Sequence, residues 1–83
     1  MIEKITIGES EVSVEILPSA MKHGHSRDDI ISALKRSVYD ETLKNKPDET
    51  LSIGYDTNKK LLELIFHVIS DEHIVVFHST ELK

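Results

Sequence analysis

Cysteine is absent from this 83-residue chain, so it can form neither a disulfide framework nor a thiolate zinc site, the usual staples of small secreted domains. It has no excess of cations either. The formal charge is −5 with histidines neutral, which argues against broad, non-specific nucleic-acid binding through lysine and arginine. Long hydrophobic runs are missing as well. The longest apolar stretch, Leu61 to Ile69, is broken by Glu63 and His67 and is too short to span a bilayer. The opening Met1-Ile2-Glu3-Lys4 leads into alternating residues rather than the apolar core of a signal peptide, so the cytoplasm is the expected compartment. Also lacking are a P-loop, a dinucleotide fingerprint, a nucleophile elbow, an internal repeat and an interdomain linker.

What remains is ordinary for one small globular domain, with 39% hydrophobic and 30% charged residues. Ile5 to Ile7 and Val12 to Leu17 alternate apolar and polar around Gly8-Glu9-Ser10, which predicts an N-terminal hairpin. Ile5 and Ile7 then face the same side as Val12, Val14 and Ile16. Pro18 ends the second strand and opens a short helical turn, Ser19 to Lys22, that Gly24 stops. Ser26 has the marks of an N-cap, and Asp28 and Asp29 suit the first turn of a helix. Ile30, Ile31, Leu34 and Val38 follow at helical spacing, so a principal helix is expected over Arg27 to about Val38. Asp40 to Thr50 reads as a polar connection. Strands follow at Leu51 to Tyr55, Leu61 to Ile69 and Ile74 to Thr80, joined by two short turns that require antiparallel pairing. The expected fold is α+β, a mainly antiparallel sheet with one principal helix packed on one face.

Register sharpens this expectation. Closing the last hairpin over Ser70 to His73 pairs Ile69 with Ile74. Leu62, Leu64, Phe66 and Val68 then share a face with Val75 and Phe77. Closing the preceding hairpin over Asp56 to Lys59 adds Leu51 and Ile53 to that face, beneath the helix. The opposite face carries Ser52, Glu63, His67, His78 and Thr80 among Leu61, Ile65, Ile69, Ile74 and Val76. His78 falls opposite Ile65, diagonal to both Glu63 and His67. A carboxylate and two imidazoles placed in this way can support general acid–base chemistry, because histidine titrates near neutral pH and glutamate can orient it or accept a proton. The alternative reading is a half-exposed solvent face. The aliphatics on that face also need a cover, whether the N-terminal hairpin, a second copy in a homodimer or a partner.

Other groupings carry less. His23-Gly24-His25 offers two imidazoles without the usual co-ligands, so no metal and no cofactor is expected. Lys22, Arg27, Lys35 and Arg36 make either a small basic patch or a solvated helix face.

Three stretches, KHGHSRDDIISAL (22–34), IGYDTNKKLLELIF (53–66) and IVVFHSTELK (74–83), resemble the BrnT-like branch of the RelE-type toxins of bacterial toxin–antitoxin systems. The resemblance spans residues 20–83 and leaves most of the N-terminal hairpin outside it. It implies a small α+β fold, metal-independent cleavage of RNA, and neutralisation by a cognate antitoxin protein. Carried over, Lys22 and His23 match the family's basic-His-Gly step, Lys60 falls where a basic residue often follows the turn, and Glu63 and His78 lie on the strands that build its site. The family is typically basic and often has an arginine after its last strand, where this chain has Glu81, Leu82 and Lys83. Charge stabilisation of a scissile phosphate therefore falls to Lys22, Lys60 or Lys83. Two functions are expected from different classes. One is a toxin-like endoribonuclease using Glu63, His67 and His78 for proton transfer, with Lys22, His23 and Lys60 binding substrate. The other is a non-catalytic protein-interaction module on the same fold.

Overall fold

The computed structural model describes residues 2–82. Six strands form a single sheet in the order β1-β2-β6-β5-β4-β3, and two short helices pack on it. In chain order these are β1 (Ile2–Ile7), β2 (Ser10–Ile16), α1 (Pro18–Met21), α2 (Arg27–Lys35), β3 (Ser37–Leu43), β4 (Lys46–Tyr55), β5 (Leu61–Ser70) and β6 (His73–Glu81). The sheet is mixed: β2 runs parallel to β6, and every other neighbouring pair is antiparallel. No helix among the described residues is long and apolar enough to cross a membrane.

The N-terminal hairpin forms as its alternation predicts. Ile5 pairs with Val12, and Ile5, Val12, Val14 and Ile16 are all buried. It does not cover the open face of the sheet, however, because β2 adds to the edge at β6 and extends the sheet sideways. The left-handed Gly24 (φ 89°) donates its N–H to the Met21 carbonyl and stops α1. Ser26 caps α2 by accepting the Asp29 N–H at 3.1 Å.

Helix α2 ends at Lys35, three residues before the expected limit. Val38 keeps helical spacing with Leu34, yet it lies in edge strand β3 and is 59% exposed. Pairing with β4 and the strand preference of Val38, Tyr39 and Thr42 outweigh the spacing there. The segment expected to be a polar connection, Asp40 to Thr50, is thus mostly a hairpin of β3 and the start of β4. An edge strand exposed on both faces carries no apolar alternation by which to recognise it.

Leu62 and Leu64 lie fully buried beneath the helices, and Phe66 packs against this core, as the register requires. The partners across β5 differ from expectation in two places. The β4–β5 turn contains five residues, so Tyr55 pairs with Leu61; Ser52 and Gly54 therefore face the helix, while Leu51 and Ile53 face away. Lys59 takes a positive φ of 65° in that turn, and the Asp56 carboxylate accepts the N–H groups of Asn58 and Lys60. Between β5 and β6, Ile65 pairs with His78 as predicted, but Phe66 pairs with Val76, which leaves Phe77 as the extra residue of a β-bulge. From there to Val68 the register is shifted by one, and a second irregularity before Ser70 restores the expected pairing of Ser70 with His73. Ile74 and Val76 are buried in the core, and Val75 and Phe77 are not. The expected roles of these four residues are reversed.

Candidate functional site

The bulge is held from the side. Helix α1 lies against β6 where β2 stops. The Leu17 N–H donates to the Val76 carbonyl (2.9 Å), Ser19 Oγ donates to the Phe77 carbonyl (2.7 Å), and the buried Ser79 Oγ donates to the Ala20 carbonyl (2.6 Å). The first two bonds satisfy carbonyls of β6 beyond the end of β2, and the third satisfies a carbonyl of α1. They also fix where α1 ends, and hence where Lys22 and His23 emerge.

Three segments meet at this point. His78 Nε2 lies 3.8 Å from Glu63 Oε1 across the β5–β6 diagonal, both side chains being partly buried. From the turn after α1, the His23 ring approaches the His78 ring edge-on, with centroids 6.3 Å apart. At 3.8 Å the Glu63–His78 pair is in contact but too far apart for a hydrogen bond. The arrangement places a carboxylate, an imidazole beside it and a second, exposed imidazole at one spot on the open face.

His67 does not join them. The bulge inserts Phe77 between Val76 and His78, and its ring stacks on His67 with centroids 4.5 Å apart. His67 turns instead toward the start of β4, where its Nδ1 lies 3.5 Å from Asp48 and 3.9 Å from Glu49. The predicted convergence of Glu63, His67 and His78 thus separates into two imidazole–carboxylate pairs. A third, His73 with Glu15 at 3.8 Å, stands toward the β1–β2 edge. Asp48 and Glu49 escape a sequence reading because they precede the alternating part of their strand. The meeting of His23 with His78 depends on the bulge, for which the sequence carries no signal.

Lys22 and Lys60 are both exposed, and neither ammonium lies within 4 Å of a carboxylate among the described residues. Lys22 directly precedes His23, and Lys60 ends the turn leading into the Glu63 strand. Lys83 falls outside the described residues. No group of three or more His, Asp or Glu among the described residues is arranged to hold a metal ion.

Away from this site, the β4–β5 turn is tied to the start of α2. The Thr57 hydroxyl and N–H both donate to the Asp29 carboxylate, at 2.5 and 3.1 Å. The Thr57 hydroxyl holds the Asp29 carboxyl below its ordinary range against a smaller opposing effect of desolvation, with the Thr57 N–H, Ser26 and His25 adding to the lowering. On β3, the Tyr39 phenol donates to Glu41, which raises its pKa because losing that proton would leave two anions side by side.

Comparison with protein-family models, curated proteins and solved structures finds no match to this chain.

Proposed function

We propose that this chain is a toxin-like protein of a toxin–antitoxin pair that cleaves RNA by proton transfer at Glu63, His78 and His23. The observation that supports the reading is the meeting of these three side chains from β5, β6 and the turn after α1. Cleavage of an RNA strand by its own 2′-hydroxyl needs one group to accept the hydroxyl proton and another to protonate the leaving 5′-oxygen. Glu63 or a histidine serves as the base, and His78 or His23 as the acid. Lys22, beside His23, steadies the phosphate. The negative net charge restricts such a protein to a local contact with RNA rather than a broad basic surface. The cognate antitoxin is the protein partner that the reading implies.

The test is cleavage of single-stranded or ribosome-bound RNA by purified protein in EDTA. Glu63→Ala and His78→Ala should each lower the rate by about two orders of magnitude, provided circular dichroism shows both variants folded. Lys22→Ala should weaken binding, with the defect shrinking at high salt. Absence of cleavage on every RNA, together with normal growth on expression alone, would falsify the nuclease reading.

One observation favours the second reading, a protein-interaction module. Leu51, Ile53, Ile65, Val75 and Phe77 are only partly buried on the open face, with no layer over them. A homodimer or partner docked there would lose its contact in Ile65→Lys, seen as a fall in solution mass.

A further inference from the structure

Helix α2 has only nine residues and covers only part of its face of the sheet. Beyond its C-terminal end the sheet is bare, and a groove of about 380 Å³ opens on the side opposite Glu63 and His78. Its floor is apolar, made of Val12, Phe66, Val68 and Ile74, with Leu34 of α2 at one end. Val68 is 39% exposed. Among the described residues, the charged ones lining it are Asp40 on β3 and Asp71 in the β5–β6 turn, both exposed. Lys35 and Arg36, the nearest cations in sequence, line a separate recess with Asp28 and Thr57.

We infer that this groove docks a lysine- and arginine-rich amphipathic helix from a partner protein. The apolar floor calls for an apolar stripe, and two carboxylates unaccompanied by a lining cation call for a cationic flank. Nucleic acid and acidic segments are repelled by that field. The secondary structure of the occupant follows from the floor. Main-chain groups in the middle of a sheet are already paired within it, so an extended peptide laid across the face would leave its own amides unpaired. A helix satisfies its backbone internally and brings only side chains to the surface. Helix α2 already packs in this way on the neighbouring half of the face. The inference is independent of the nuclease reading, because the groove and the Glu63–His78 pair lie on opposite faces.

The probe is a 16-residue designed helix, on the order of four turns, with leucines at i, i+4, i+7 and i+11 flanked by lysine and arginine. Its control has glutamate at every cationic position. Fluorescence anisotropy should show micromolar binding of the cationic peptide, weakening with salt, and none of the control at roughly tenfold higher concentration. The exposed-site double variant Asp40→Lys/Asp71→Lys should weaken the cationic peptide by about tenfold. Val68→Lys, or Val68→Ser if the lysine variant unfolds, should weaken both the salt-dependent and the residual binding, and His78→Ala should leave binding unchanged. Equal binding of the two peptides, no binding of the cationic one, or binding that survives both sets of groove variants overturns the inference. A solution dimer dissociated by Val68→Lys would place a second copy in the groove and overturn it equally.

Discussion

Gly54 brings β4 directly against the main chain of α2 at Ala33, and replacing it with alanine tests how α2 is seated. The residue lies on β4 between Ser37 of β3 and Leu62 of β5, with its missing side chain aimed at α2. An added β-carbon would overlap the Ala33 carbonyl oxygen outright, and it would lie 2.7 Å from the carbonyl carbon and 3.0 Å from Cα. Nonbonded carbons rest about 3.5 Å apart, so the helix would have to lift by close to an ångström. The obstacle is helical main chain, which cannot rotate away as a side chain would. A gap of that size forfeits a quarter to a half of the dispersion energy beneath Ile30 and Leu34, both of which are buried. Overpacking a core typically costs 1–3 kcal/mol, and the rigid obstacle puts Gly54→Ala at about 3 kcal/mol or above. The loss of chain entropy in the unfolded state returns less than about 1 kcal/mol of this. For a domain of this size the net loss of about 2–3 kcal/mol is a fall in Tm of roughly 8–24 °C. Urea denaturation followed by circular dichroism should show the midpoint move at constant slope. Gly8→Ala is the control: its φ is 62° with no atom within 4 Å, so only the left-handed backbone is penalised, at roughly 1–2 kcal/mol. Adding Ala33→Gly to Gly54→Ala should not restore stability, because the clash is with backbone. A loss below about 1 kcal/mol in Gly54→Ala, or rescue by Ala33→Gly, would refute this seating of the helix.

Three further outcomes are expected. Leu64→Ala, at a fully buried position, should cost about 2–5 kcal/mol in the same denaturation assay, and a change under about half a kcal/mol would remove it from the core. Ser79→Ala should cost roughly 1–3 kcal/mol by leaving the buried Ala20 carbonyl unpaired, and nuclear magnetic resonance should show its largest shifts in α1 and around Phe77 rather than in α2. The lowered pKa of Asp29 means that the ionised carboxylate stabilises the fold fully above its unfolded value of about 4 and loses that contribution as pH falls through the lower folded value. Thr57→Val should therefore be less stable than wild type at pH 7, and the difference should narrow below about pH 4. A gap that stays constant down to pH 2 would show that Asp29 is not the group responsible.

Much of the fold was legible because strong local signals agreed with the tertiary arrangement. Ser26, the two aspartates and the Ile30/Ile31/Leu34 spacing located the start and buried face of α2. The alternation at Val12, Val14 and Ile16 and at Leu62 and Leu64 located core strands. The failures have separate physical causes. Val38 fits helix spacing equally well, and only the pairing of its neighbours Ser37 and Tyr39 with β4 decides against the helix. Strand β3 is too exposed to show a pattern. Leu51 and Ile53 looked like core because they are apolar, whereas the helix side of β4 needs small residues, Ser52 and Gly54, to let α2 approach. Hydrophobicity marks burial only where there is room for a side chain.

The candidate site follows the same logic through a single residue. With unbroken pairing along β5 and β6, His67 and His78 would lie on adjacent diagonals, and Ile74 and Val76 would face solvent. The extra residue Phe77 resolves that conflict by shifting the register toward the turn, which turns both aliphatics inward and leaves Ile65 still opposite His78. The same shift places the Phe77 ring against His67 and frees a carbonyl that Ser19 takes up. In so doing it anchors α1, whose end delivers His23 to His78. The inward turn of Ile74 and Val76 and the separation of His67 thus share one structural cause, whereas the Glu63–His78 diagonal lies on the unshifted side of the bulge. Because the Phe77 carbonyl is held by the Ser19 hydroxyl and the neighbouring Val76 carbonyl by the Leu17 amide, the turn after Pro18 bears directly on the geometry of the site.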